Sequence, residues 1–290
     1  MHTTQHPTLA TRFGHSTTRV LRAAELLGED QMRSAAPSIF ATGKHISRSE
    51  RYTYIPTIEV LRGLQKEGFE PFMVAQGCSR VEGKSEFTKH MIRMRHAAQV
   101  QCRPEASEII LINSHDGASS YQMLAGMFRF VCCNGLVVGD VVEDIRIPHK
   151  GNIQGEVIEG AFRVLGEFEA VEAHAEAMKA LPLDRGEEMA LASAALALRF
   201  GERTDAETGE RVAAPITADQ LIEARRFEDR DNSLWTSFQR IQENVMRGGQ
   251  TGRSAQGRRL QTRPVGSIDR GVSLNRALWM LAEEMRKLKA

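Results

Sequence analysis

The feature that most constrains this fold is a change of hydrophobic rhythm at Pro148. Before it, Phe72 to Cys78, Phe87 to Val100 and Glu108 to Asn113 are short strand-like runs separated by Gly- and Pro-containing connections, as in an antiparallel meander. After it, Val157, Ala161, Val164, Leu165, Phe168 and Val171 recur at helical spacing. Strands first and helices after predict an α+β protein: a central antiparallel β-sheet (meander) packed against helices, with a helical C-terminal third. Tyr121 to Val131 and Leu136 to Ile147 add two strands joined by an Asn134-Gly135 turn, although Tyr121 to Phe130 also fits a helix.

Three regions follow. Residues 1–55 form an N-terminal arm with one amphipathic helix over Thr18 to Leu27, ending at Gly28. Residues 56–200 form the α+β core domain. It opens with a helix started by Pro56-Thr57 and closed by Gly68, and it ends with an Ala-rich helix from Glu187 to Phe200. Residues 201–290 are helical. Glu202 to Pro215 reads as an exposed loop or hairpin, and Thr217 and Gln220 have capping-box spacing. Leu234, Trp235, Phe238, Ile241 and Val245 mark a core helix stopped by Gly248-Gly249, and Leu274, Leu278, Leu281, Met285 and Leu288 mark the last one. Both tryptophans, Trp235 and Trp279, fall on apolar stripes and belong to the core.

Charge is sorted along the chain. The formal net charge is only +1, yet Phe87 to Arg103 contains Lys89, Arg93, Arg95 and Arg103 with no acid, and Arg247 to Pro264 contains Arg247, Arg253, Arg258, Arg259 and Arg263, again with none. The balancing acids are concentrated in Gly151 to Ala190, where nine acids face three bases. Such sorting gives a local positive field, and a polyanion is its natural partner. Strand alternation puts Lys89, Arg93 and Arg95 on one face, which we read as a basic surface. Residues 249–266, rich in Gly, Arg, Gln and Thr, read as a mobile loop able to clamp a phosphate backbone with planar guanidinium donors. Arg129 is a further candidate contact. Tyr52, Tyr54 and Tyr121 would stack on bases if they lay beside the basic strand, but with aromatics at 6% core duty competes for them.

Chemistry-bearing residues are few. Asn113-Ser114-His115-Asp116-Gly117 places a hydroxyl, an imidazole and a carboxylate together, and Asp116-Gly117 is also an ordinary turn signal. His115, Asp116 and His90 are the candidate catalytic residues, and His90, His96 and His115 the candidate metal set. No Gly-rich phosphate loop, nucleotide fingerprint or nucleophile elbow is present, so no cofactor is implied. Cys78, Cys102, Cys132 and Cys133 lack metal-pair spacing and read as reduced, mostly buried thiols. No window suits a membrane span, and His2, His6, Arg12 and Arg19 interrupt any signal-peptide centre, so a cytoplasmic location with no membrane partner is expected.

Several segments carry a family resemblance. Arg51-Tyr52-Thr53-Tyr54-Ile55-Pro56-Thr57, Phe87-Thr88-Lys89-His90, Asn113 to Gly117 and above all Phe128 to Val138 resemble the phage/plasmid-like family known as domain of unknown function 932. Leu234-Trp235, Gln242-Glu243-Asn244 and Asn275 to Trp279 extend the likeness over most of the chain. It implies a mobile-element origin. The order of strands and long helix is also similar in outline to phage-type single-strand annealing proteins, which is analogy of fold order only. Single-stranded DNA is therefore the expected partner, with annealing by a homo-oligomeric ring or filament. Two alternatives stand beside it: a metal-assisted nuclease or hydrolase using His90, His115 and Asp116, and an interaction protein that blocks a host defence factor with its acidic helix surface.

Overall fold

The strand-forming runs assemble into one antiparallel sheet in the computed structural model, which describes residues 18–23, 25–96, 105–129, 134–138, 145–147, 153–201, 203–204, 211–254 and 256–290. The order is β1 (Thr18–Arg22), β2 (Phe69–Gly77), β3 (His90–His96), β4 (Glu105–Asn113), β5 (Tyr121–Arg129) and β6 (Asn134–Val137), with β7 (Ile145–Ile147) as a further partner of β5. Strands β2 to β5 are buried along almost their whole length, on both faces, which is why they read as near-continuous apolar runs. Their core includes Val74, Ile92, Met94, Ile109, Ile110 and Met123.

Two local expectations are corrected. Thr18 to Leu27 is not a helix: Thr18–Arg22 pairs with Gly77 through Met73 as an edge strand, and α1 (Glu29–Ala35) begins after Gly28. The open edge of β2 offers a ladder of backbone partners, and that outweighs a weak helical preference. Asn134-Gly135 is not a turn but opens β6. The helix α2 (Thr57–Lys66) forms as expected, with Gly68 at φ +87° after it.

By contact the chain divides into two units. The first comprises Met1–Leu136, Val141–Phe168 and Gly266–Ile268, and the second Val137–Asp140, Glu169–Val265 and Asp269–Ala290. The boundary falls inside α3 (Ile153–Ala180). The second unit continues with α4 (Arg185–Phe200), the short hairpin β8 (Arg203–Thr204) and β9 (Arg211–Val212), α5 (Ala218–Ile222), α6 (Leu234–Arg247), the hairpin β10 (Thr251–Arg253) and β11 (Arg259–Gln261), and α7 (Ile268–Lys289). Asp184 caps α4 reciprocally: its Oδ1 accepts from Glu187 N at 2.8 Å, and Glu187 Oε2 accepts from Asp184 N at 2.8 Å. Among the described residues, no helix is long and apolar enough to cross a membrane.

Helix α6 is buried on every side from Leu234 to Val245. Trp235, Phe238, Ile241 and Val245 supply the expected apolar stripe, and Trp235 and Trp279 are core residues. Its polar flank is buried too, so those groups must find partners inside the protein. Glu188 of α4 accepts from Ser237 Oγ at 2.8 Å and from Arg240, and Gln242 Nε2 donates to Asn275 Oδ1 of α7 at 2.5 Å. This internal bonding fixes α6 between α4 and α7.

Candidate nucleic-acid interface

The basic strand face expected on β3 is not a surface. Arg93 and Arg95 are 5% and 2% exposed, and both are neutralised by one carboxylate: Arg93 Nε donates to Glu108 Oε2 at 2.5 Å, and Arg95 Nε to Glu108 Oε1 at 2.8 Å. Register explains it, because Arg95 lies directly across the ladder from Glu108. The Arg95 guanidinium is also stacked on Phe128, 3.5 Å from the ring centroid, and faces Phe72 at 4.5 Å. Arg93 donates to the Leu136 carbonyl, and a Cβ on Gly135 would come within 2.6 Å of its guanidinium. Gly135 is therefore needed for this close approach and not for a turn. Arg129 is buried near Glu105 at 3.9 Å, Lys89 is half-buried just before β3, and Arg103 lies outside the described residues.

The histidine candidates separate into a meeting pair and an outlier. His90 and His115 are fully buried with ring centroids 5.2 Å apart, and Tyr54 lies 5.0 Å from His115. Both nitrogens of His90 are engaged, Nδ1 with Ser38 Oγ and Nε2 with Thr57 Oγ1, each at 2.9 Å. Ser38 is held in turn by Gln76 Oε1 at 2.8 Å, and Thr57 Oγ1 accepts from Asn113 Nδ2 at 3.0 Å. Burial first, and the neighbouring His115 second, push the His90 pKa down to about 3, so the ring is neutral. His96 stands six residues along β3, roughly 20 Å away at strand rise, packed on Phe69.

The expected His90, His96 and His115 metal set is thus not brought together, and among the described residues no group of three His, Cys, Asp or Glu could hold a metal. Asp116 performs the turn its Gly117 neighbour announces. Its Oδ1 accepts from Ala118 N at 3.0 Å and its Oδ2 pairs with Lys84 Nζ at 3.1 Å. Burial raises its pKa, but the Ala118 N–H and Lys84 outweigh that and leave it below the usual carboxylate range. This constellation ties Ser38, α2, β3 and β4 together and leaves no ring nitrogen of His90 to act as a base or ligand.

The tyrosines offer no stacking platform either. Tyr52 donates to the Ser114 carbonyl at 2.7 Å, Tyr54 donates to the Ala41 carbonyl, and Tyr121 is fully buried. Cys78, expected to be buried, is exposed just past β2, while Cys102, Cys132 and Cys133 lie outside the described residues.

The second basic run is exposed, and it forms a two-stranded ribbon where an unpaired loop was expected. Pairing runs Thr251↔Gln261, Gly252↔Leu260 and Arg253↔Arg259. The polar segment folds because its backbone groups are satisfied locally: Arg253 N donates to Pro215 O at 2.9 Å, Gly249 N to Thr262 O at 2.8 Å, and Ser254 N to Arg258 O at 2.8 Å. Gly252 permits the docking, since a Cβ there would sit 1.9 Å from the Pro215 carbonyl oxygen. Gly252 and Leu260 therefore share the inner face. Thr251, Arg253, Arg259 and Gln261 share the outer, exposed one.

On that outer face two arginines stand directly opposite each other, an arrangement that destabilises a strand pair. Arg258 and Arg263 are exposed beside them, and among the described residues none of the four guanidiniums has a carboxylate partner. Arg253 Nη1 donates to the Gly257 carbonyl at 3.1 Å, a neutral acceptor that leaves its charge uncompensated.

At the root of the ribbon lie arginines that reading the sequence did not single out. Arg225 donates through Nε to Asn244 Oδ1 at 2.6 Å and through Nη2 to the Gly248 carbonyl. Burial, with Arg247 and Arg226 nearby, lowers its pKa against the opposing pull of Glu243. The buried Glu243 orients Arg226 at 2.7 Å and Arg247 at 2.8 Å. Arg247, expected to face a ligand, is thus ion-paired. Arg199 Nη2 reaches the Arg263 carbonyl at 2.7 Å, and Arg270 Nη2 the Arg199 carbonyl at 2.6 Å. For Arg225 and Arg226 the signal was the dense run Arg225-Arg226-Phe227-Glu228-Asp229-Arg230.

Comparison with known proteins gives a consistent result. The family model described as "Domain of unknown function (DUF932)" matches residues 44–279. The chain is 49% identical over 277 residues to the UPF0380 protein YafZ of Escherichia coli strain K12, covering 96% of this chain and 97% of that protein. It is likewise 49% identical over 277 residues, with the same coverage, to the UPF0380 protein YfjQ of the same organism. No solved structure matches.

Proposed function

The chain belongs to the domain of unknown function 932 family, and on that premise we propose that it binds DNA, single-stranded DNA of a mobile element, by the phosphate backbone. The observation that carries this reading is the cross-strand pair Arg253 and Arg259 on an exposed ribbon face with no carboxylate partner among the described residues. Like charges so placed repel, and a phosphate bridging the two forks relieves the repulsion while taking up their donors. Thr251 and Gln261 extend the same face with neutral donors. The role once assigned to β3 falls away, so the grip is made by one ribbon.

Four arginines on one ribbon suffice for one strand. Annealing needs two strands held with bases free, so that activity belongs to an assembly of several chains, ring or filament, each contributing one ribbon. Fluorescence anisotropy with a labelled oligonucleotide tests the grip. Each phosphate contact contributes roughly 0.7 log unit of affinity at about 0.1 M salt, so Arg253→Ala with Arg259→Ala should weaken binding about 25-fold. An unchanged affinity removes the ribbon from the interface.

A further inference from the structure

Resting on that reading, we propose that Phe227 is a base-stacking residue, and that it is what makes the ribbon prefer single-stranded nucleic acid to duplex. The ring is 76% exposed in a 3-10 turn, Phe227–Asp229. Leaving it in water forgoes the stabilisation that burial of such a side chain supplies. It is not exposed through slackness, because both flanks are fastened. Arg226 is held by Glu243 at 2.7 Å and 2.8 Å and by Asp229 at 2.5 Å, Asp229 is itself 1% exposed, and its carbonyl accepts from Arg240 Nη1 at 3.0 Å.

The ring therefore stands on a rigid pedestal, which lowers the ordering cost of binding. Arg230 lies over it with its guanidinium carbon 5.3 Å from the ring centroid, a cation placed to extend a stack. The turn is also tied to the ribbon's root: Arg225, two residues before Phe227, donates to the Gly248 carbonyl, and Gly248-Gly249 lead into β10. The exposed carboxylates at Glu223 and Glu228 sit on the same segment and disfavour a second phosphate there, consistent with a base and not the backbone meeting this side. The ribbon itself contains no aromatic residue. A duplex keeps its bases stacked on one another, whereas a single strand presents unpaired faces to a lone ring.

The test uses the full chain with a labelled single strand, DNA or RNA, and a duplex of the same sequence. Phe227→Ala should lose between about 5- and 150-fold affinity for the single strand. Its duplex affinity, salt dependence and thermal midpoint should not change, since the ring contacts no phosphate and is not buried. Phe227→Trp should restore binding, with its emission quenched when single strand is added. Wild-type single-strand affinity in Phe227→Ala, while Arg253→Ala with Arg259→Ala is weakened, overturns the stacking role and leaves the ribbon's role standing. Equal loss for both strand forms also overturns it, and absence of any nucleic-acid binding by the wild type overturns both readings.

Discussion

Arg93 and Arg95 of β3, and Arg253 and Arg259 of the β10–β11 ribbon, are each two guanidiniums sharing one face of an antiparallel strand pair, and they differ in what stands across the ladder. Opposite Arg95 is Glu108, fully buried and bonded to Arg93 as well. Opposite Arg253 is Arg259. One arrangement is internally neutralised and covered by Phe72, Phe128 and Gly135, so its charge is spent on structure. The other stays on an exposed face with its charge uncompensated, Arg253 meeting only the neutral Gly257 carbonyl. A basic run along a chain therefore reports charge density and says nothing of whether an acid 13 or 15 residues away cancels it.

The contrast is easiest to break at Glu108. Glu108→Gln leaves two buried guanidiniums without their counter-charge and should cost about 3–5 kcal/mol in denaturant unfolding. A loss below about 1 kcal/mol would mean the β3 arginines reach solvent after all. His90 extends the contrast to pH. Its folded pKa is depressed to about 3 against an ordinary 6.5, so its contribution is fully present above pH 6.5 and is lost as pH falls toward 3. Between pH 7 and pH 5 that loss is on the order of 2 kcal/mol. His90→Gln should flatten this part of the stability–pH profile, measured by denaturant melts at both pH values; an equally steep profile would place the acid sensitivity elsewhere. The smallest effect sharpens the comparison from the other side. Arg259→Glu gives the ribbon the same opposite-charge pairing that β3 and β4 possess, and should raise stability by roughly 0.2–1 kcal/mol while weakening the proposed DNA binding at least as much as Arg253→Ala with Arg259→Ala does.

The sheet was legible because hydrophobic runs bounded by Gly and Pro report strands directly, and α2, α4 and α6 were legible because their stripes end at Gly68, Gly201 and Gly248, all at positive φ. What could not be read was which partner a residue meets at long range. Thr18–Arg22 became a strand only because β2 offers its edge, and Gly135 left its turn dipeptide role to accommodate Arg93. The same limit governed the site. Arg93 and Arg95 were chosen by charge but are silenced by register, whereas the proposed contacts Phe227 and Arg225 were passed over because exposure and the bond to Gly248 are tertiary facts. The ribbon's composition marked its arginines as a basic run but not its strand pairing, since a Gly-rich polar segment pairs when neighbouring backbone, here Pro215, completes its hydrogen bonds.

The most direct measurement is the salt dependence of binding to a single-stranded oligonucleotide. Four ribbon arginines on phosphates give a slope of log affinity against log salt of about −2.8, and Arg253→Ala with Arg259→Ala should bring it to about −1.4. A slope that stays the same in that double variant, or a wild-type affinity indifferent to salt, would contradict the assignment of the ribbon as the phosphate-binding surface.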